Sequence, residues 1–337
     1  MSDSSSSLAI EVTSLSKVYQ RGKKAPAVAV QPLDLAIAPG QIFGFLGSNG
    51  AGKTTTIKMI CGLVLPTTGK IRVNGYDIQR ERSSAMRQIG AVLEGTRNVY
   101  WRLSAWQNLL YFGHLKGKYG KKLRAHAEEL LRELELWERR DDDVRLFSRG
   151  MQQKVAIACA LIGEPSVVLL DEPTLGLDVQ ASRTVKTWIQ RLTREQGKTV
   201  ILTTHQLDIA QDLCDQVAIM SKGALLANKP LPELLGLFDH EYYQLRVQGQ
   251  LSSEQRSAFA DFQIAEEEGE TVLSGAIAGQ AALHAHLADL ARLRLPLLSV
   301  ARVEPNLEEV FVRLIGTQNQ PQGGEEESYA HHTLSHV

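Results

Sequence analysis

The stretch that most constrains this chain is Gly47–Thr55, Gly-Ser-Asn-Gly-Ala-Gly-Lys-Thr-Thr. An apolar run, Ile42–Leu46, leads into it, and a helix-like segment, Thr56–Leu65, leads out. The order is strand, glycine-rich loop, helix, and the pattern G-x-x-x-x-G-K-[ST] falls on Gly47, Gly52, Lys53 and Thr54. Across Gly47, Ser48, Asn49, Gly50, Ala51 and Gly52, small residues let successive backbone N–H groups turn inward around an anion. The helix start at Lys53, Thr54 and Thr55 adds unpaired N–H groups and a positive dipole end. Lys53 brings a mobile charge for β- and γ-phosphates, and the Thr54 hydroxyl suits Mg²⁺, which prefers hard oxygen ligands. A turn that binds nothing is the alternative, and the flanking strand and helix weigh against it.

The rest of the chain reads as an α/β fold. Ala9–Val12 and Ala27–Ile37 are strand-like, with a basic turn at Arg21-Gly22-Lys23-Lys24 and another turn at Pro39-Gly40. Lys70–Val73 and Ile89–Leu93 are further strands, with a short polar helix, Arg80–Arg87, between them. From Ser104 to Trp137 the apolar period becomes helical: Leu109, Leu110, Phe112 and Leu115 share one face, and Leu123, Leu130, Leu131 and Leu134 another. That predicts a helical subdomain inserted into the core, ending in a solvated charge run, Asp141–Asp143. A helix is expected over Gln152–Ile162. Val167–Leu170 and Thr199–Thr203 are continuous apolar strands of a mostly parallel sheet, each followed by a helix. Val217–Met220 and Ala224–Ala227 form a hairpin.

Pro230 and Pro232 mark a linker, and beyond it the order is β-α-β-β-α-β: Tyr242–Val247, Ser252–Phe262, Ile264–Glu267, Thr271–Ile277, Gln280–Leu293 and Leu297–Val303. This order predicts a small ferredoxin-like α+β domain. It closes with an amphipathic helix, Pro305–Ile315. The expected division is a tail at 1–7, a first domain over 8–228 with its helical subdomain at about 95–163, a linker at 229–239, an accessory domain over 240–316 and a tail at 317–337. His331, His332 and His336 sit in that last tail, which reads as disordered rather than metal-binding.

A chain of 337 residues makes two domains the prior, and 43% hydrophobic residues suffice for ordinary cores. Lys plus Arg is 37 and Asp plus Glu 38, a net charge of −1 that argues against a dedicated polyanion binder. Cys61, Cys159 and Cys214 are far apart and unpaired in sequence, which points to buried thiols in a reducing cytosol. The polar start, Met1–Ser7, has no signal-peptide pattern, and no apolar run approaches the ~18 residues of a membrane span.

Chemistry gathers at strand ends. Asp171 closes an apolar strand and can hold Mg²⁺; Glu172, one residue on, can accept a proton from attacking water. His205 ends the next strand, where it can bond a γ-phosphate oxygen or orient water. Tyr19 can stack on adenine or fill the core, and spacing leaves both open. Ser148 and Gly150 stand before a helix and make a second anion site. One chain needs no second γ-phosphate site, so this one hints at a neighbouring subunit.

With these residues in place, Leu8–Leu226 resembles the ATP-binding subunit of ABC transporters. The resemblance makes Gly47–Thr54 the Walker A loop and Val167–Glu172 the Walker B strand. It makes Phe147-Ser148-Arg149-Gly150-Met151 the signature, Leu175–Asp178 the D-loop, His205 the switch histidine and Tyr19 the adenine-stacking aromatic. It implies a P-loop NTPase core with N-terminal antiparallel strands. It also implies ATP and Mg²⁺ as ligands, and a head-to-tail homodimer in which Ser148, Gly150 and Asp178 serve the other chain's nucleotide. Two departures stand out. Glu94 occupies the Q-loop position, where glutamine is usual; it can still offer oxygen to Mg²⁺ or water. Arg149 and Met151 replace a glycine and a glutamine of the signature.

Val92–Asn98 with Tyr100–Ser104, Ser148–Lys154 and Glu304–Phe311 are similar to exporter ATPases of the daunorubicin-resistance type. That subgroup implies a separate polytopic permease, docking near Asn98–Trp106, and a place at the cytoplasmic face of the cell membrane. A soluble ABC ATPase acting on nucleic acid or ribosomes is the competing reading; the single loop, absent heptads and balanced charge oppose it. A P-loop kinase or GTPase is a third, and no Asn-Lys-x-Asp motif occurs.

Overall fold

The computed structural model describes residues 8–21, 24–94, 98–236, 241–267, 269–303 and 306–316. Gly22-Lys23, Gly95–Arg97, Glu304-Pro305, the end of the expected linker, both expected tails and their histidines lie outside it. In chain order the elements are β1 (Ile10–Arg21), β2 (Lys24–Ile37), β3 (Ile42–Leu46), α1 (Lys53–Ile60), β4 (Thr68–Val73), β5 (Tyr76–Asp77), α2 (Arg82–Arg87) and β6 (Ile89–Val92). Three helices follow, α3 (Ala105–Leu115), α4 (Gly120–Glu133) and α5 (Arg149–Leu161). Then come β7 (Val167–Asp171), α6 (Val179–Arg194), β8 (Thr199–Thr204), α7 (Leu207–Leu213), β9 (Gln216–Ser221), β10 (Ala224–Pro230) and α8 (Leu231–Leu235). The last group is β11 (Glu241–Gln248), α9 (Ser253–Ala258), β12 (Gln263–Glu267), β13 (Glu270–Ile277), α10 (Gly279–Arg292), β14 (Leu297–Val303) and α11 (Leu307–Gly316).

A six-stranded sheet, ordered β10-β9-β3-β8-β7-β6, carries the first unit, and only the β9–β10 pairing is antiparallel. Its inner strands β3 and β7 are buried along their whole length because both faces are covered, whereas the edge strand β10 carries Asn228 and Lys229. Along β3 and β7 the pleat sends Ile42, Leu46, Val168 and Leu170 into one core and Phe43, Phe45, Val167 and Leu169 into another. The first core is closed by the helices after β6. The second is closed by α1 and an antiparallel sheet ordered β2-β1-β4-β5. Register sets the site: Leu46 pairs with Thr204 and Asp171 with Thr203, so the carboxyl ends of β3, β8 and β7 lie level.

The helical subdomain folds as α3, α4 and α5. Leu123, Leu130, Leu131 and Leu134 are buried, as the period predicts. Leu115 is not on the buried face with Leu109: it ends α3 and is 65% exposed. The Asp141–Asp143 run is solvent-facing but paired, to Arg140, Arg139 and Arg145 in turn. Cys61, Cys159 and Cys214 are buried and free; burial pushes the Cys61 thiol up to about 12 and raises the other two.

β11 to β14 form the ferredoxin-like sheet, ordered β12-β13-β11-β14, with α10 and the flanks of α9, Leu251 and Phe259, in its core. Helix α9 is shorter than Ser252–Phe262: it stops at Ala258, and Phe259 and Phe262 turn inward with rings 5.8 Å apart. Pro230, read as linker, ends β10 opposite Gln216, and Pro232 lies in the first turn of α8, whose Leu234 is fully buried. The last helix, α11, packs on the first unit rather than ending in the core of the sheet it follows. Its Leu307 and Val310 are buried in the first unit's core beside α7 and α8, and the Leu307 N–H donates to Gln211 Oε1 at 2.8 Å.

Candidate nucleotide site

At the level ends of β3, β7 and β8 the chain forms a cavity of about 340 Å³. Ala29, Asn49–Thr55, Glu94 and Glu172 line it. The glycines of the loop are required by space as well as conformation. Gly52 has φ +107, and a methyl group there would come 2.7 Å from the Ala29 carbonyl oxygen. At Gly47 a methyl would come 2.4 Å from the Met220 carbonyl oxygen. The loop therefore lies directly on β2 and β9.

Lys53 is 6% exposed. Its amine donates to the carbonyl oxygens of Gly47 at 2.6 Å and Ser48 at 3.3 Å, folding back over the loop. Burial lowers its pKa below the ordinary lysine value, while Glu172, Asp171 and Glu94 act in the opposite direction. Thr54 Oγ1 donates to Asp171 Oδ1 at 3.3 Å. Threonine hydroxyl and aspartate thus share one point, a hard-oxygen pair of the kind that Mg²⁺ takes. The Glu94 N–H reaches Asp171 Oδ2 at 3.4 Å, so the Q-loop position adjoins the same carboxylate.

Glu172 is 8% exposed and sits at φ +51, which turns its side chain out of the strand line. Its Oε1 meets His205 Nδ1 at 2.9 Å. Its Oε2 is buried and, among the described residues, has no hydrogen-bond partner. A carboxylate oxygen in that condition is costly unless something outside the chain uses it.

Thr203 was not singled out in the sequence. Its hydroxyl donates to Asp171 Oδ1 and accepts from the Glu172 N–H at 3.1 Å, so it fixes both acids. The signal was present: β8 closes on Thr203-Thr204 with His205 just beyond, three polar residues after a buried apolar run. Gln206 accepts from Thr174 Oγ1 at 3.2 Å and ties the turn after β7 to the start of α7.

Other expected residues lie elsewhere. Ser148 caps α5, its Oγ accepting from the Met151 N–H at 3.3 Å, and Asp178 caps α6, accepting from the Ala181 N–H at 2.7 Å. Neither, nor Gly150, lines the cavity of its own chain. Tyr19 is 38% exposed, so it is not a core tyrosine; Lys17 Nζ stands 5.0 Å over its ring. It pairs with Ala27, two residues along β2 from the cavity-lining Ala29. Of the aromatics at Asn98–Trp106, Tyr100 and Trp101 face solvent, whereas Trp106 packs edge-on against Trp137 at 5.8 Å.

Comparison with known proteins agrees with this geometry. Residues 30–175 match the ABC transporter family model, and residues 242–301 match a domain of unknown function, DUF8691. The chain is 34% identical to the daunorubicin/doxorubicin resistance ATP-binding protein DrrA of Streptomyces peucetius, over 91% of this chain and 92% of that one. It is 39% identical to the ABC transporter ATP-binding protein NatA of Bacillus subtilis, over 67% of this chain and 91% of NatA. Among solved structures it is similar to the dimeric ATP-binding cassette MJ0796 in a post-hydrolysis state bound to ADP and Pi. That match has a TM-score of 0.60 and 27% identity, covering 66% of this chain and 98% of that one. The chain belongs to the ABC transporter family, as one of its ATP-binding, ATP-hydrolysing subunits.

Proposed function

We propose that this subunit powers a separate membrane permease of an exporter through ATP-gated, head-to-tail closure of two copies. The observation that carries the catalytic part is Glu172: one buried carboxylate oxygen held by His205, the other without a partner among the described residues, beside a phosphate loop. Glu172 Oε2 accepts a proton from the attacking water, and His205 keeps the carboxylate in place. Lys53 swings from its loop carbonyls to the β- and γ-phosphates, exchanging partial charges for full ones. Thr54 and Asp171, with Glu94 adjacent, would hold Mg²⁺, which neutralises phosphate charge in the transition state. Thr203 prevents Asp171 from drifting. Tyr19 stacks on the adenine.

Ser148, Gly150 and Asp178 lie off their own chain's cavity, which supports their use on the nucleotide of a second copy. A partner in the membrane is supported by two facts. Among the described residues no helix is long and apolar enough to cross a membrane. Tyr100, Trp101 and Tyr111 form an exposed aromatic patch, with Tyr100 and Tyr111 rings 4.9 Å apart. Such patches favour interfaces, so the permease docks there and keeps the subunit at the cytoplasmic membrane face. Likeness to DrrA, to the linearmycin resistance protein LnrL and to the bacitracin transport protein BcrA supports export of an antibiotic-like cargo. The test is Glu172→Gln: turnover should be lost while ATP binding and ATP-dependent dimerisation remain. Unchanged turnover would remove Glu172 from the chemistry.

A further inference from the structure

Arg149 stands where the family's signature carries glycine, at the first residue of α5. It is exposed, and among the described residues it makes no hydrogen bond or ion pair. Its guanidinium lies against Gly176, in the turn between β7 and α6: a methyl group on Gly176 would come 2.5 Å from Arg149 Nη1 and 2.7 Å from Cζ. Gly176 has φ +69, and Asp178, two residues on, caps α6 through the Ala181 N–H. The next residue of α5, Gly150, presses on the helix that Asp178 caps: a methyl there would come 2.8 Å from Ala181 Cβ. The Ser148–Gly150 segment therefore meets the Leu175–Asp178 turn at Gly176 and the first turn of α6 at Ala181.

We infer that Arg149 is a positioning residue that latches the Ser148–Gly150 helix start to the Leu175–Asp178 turn of its own chain, so that both segments reach the second copy's nucleotide as one body. A planar guanidinium suits this, because it can lie flat on a glycine backbone; a lysine ammonium cannot. Gly176 is the complementary half, since any side chain there displaces the plane. The inference rests on the head-to-tail dimer proposed above and adds a coupling within each chain.

The experiment is a double-mutant cycle in the Glu172→Gln background, with ATP-dependent dimerisation followed by analytical ultracentrifugation. Arg149→Ala and Gly176→Ala should each raise the ATP needed for half-maximal dimer by about tenfold, the scale of coupling between contacting residues. Binding of a fluorescent ATP analogue to dilute, monomeric protein should be unchanged, which a general loss of structure would not give. The double variant should be no worse than the weaker single one, and Arg149→Lys should not rescue. Additive effects, or a normal ATP dependence in Arg149→Ala, overturn the latch alone. Failure of the Glu172→Gln parent to dimerise would overturn the dimer reading and this one with it.

Discussion

Glu172 is the residue at which conformation and chemistry meet. Its left-handed backbone, at φ +51, costs a non-glycine residue about 1–3 kcal/mol and is sustained by the Thr203 bonds to its N–H. Thr203→Val should therefore lower kcat by roughly tenfold or more, since it leaves the Glu172 N–H and Asp171 each short of one buried hydrogen bond. Steady-state kinetics against Mg²⁺ will show it, with a raised Mg²⁺ requirement. Asp171, Glu172 and His205 were legible in the sequence because each ends a strand whose apolar run is unmistakable. Thr203 was hidden by its type, because threonine inside a strand reads as an ordinary β former. Tyr19 was undecidable by spacing, and only its exposure removes the core alternative.

Lys53 gives a pH prediction. Burial lowers its pKa, so the amine loses its proton at lower pH than an ordinary lysine, and a bound triphosphate pulls the pKa back up. ATP affinity should fall as pH rises through the lowered value, and binding near it should take up protons. Calorimetry in buffers of different ionisation enthalpy measures that uptake; proton release on binding would contradict it. Glu94→Gln should ease the Mg²⁺ requirement, because it removes a negative charge that lines the phosphate cavity and that the ion otherwise has to offset. An unaltered Mg²⁺ titration would show that the Glu94 charge does not act on the phosphates.

Among the elements, α11 departs furthest from the sequence reading. Its apolar stripe was plain: Leu307, Val310, Phe311 and Leu314 recur at helical spacing. A stripe says that a helix packs, not on what. Chain order put it with the domain it follows, whereas it returns to α7, the helix that starts beside His205. Pro230 and Pro232 misled in a related way. Proline opens helices as readily as it marks linkers, and α8 is one it opens. Leu307→Ala should destabilise the first unit by about 2–5 kcal/mol, the usual range for emptying a buried leucine site. Urea denaturation followed at the Trp188 fluorophore, which lies in the same core, will read it.

For the whole molecule, alternation of strand and helix was enough to foresee the parallel sheet, and β-α-β-β-α-β enough for the second sheet. Sheet order was not readable, because the apolar runs of β3, β7 and β8 are interchangeable and their sequence of pairing comes from long-range packing. The proposed docking to a permease belongs to this scale too. Trp101→Ala should leave the ATPase of the isolated subunit intact and reduce its stimulation by the permease. Trp106→Ala should instead lower stability, since that ring is packed on Trp137.

The return of α11 to α7 also sets a timetable for synthesis. Gln211 and its partner Leu307 are 96 residues apart. At about 5–20 residues per second, α7 leaves the ribosome roughly 5–20 s before the helix that covers it. During that interval the core around α7 is open, with the phosphate loop already made. The nascent subunit should then depend on chaperones until α11 arrives, and a ribosome stalled before Leu307 should display a protease-sensitive first domain.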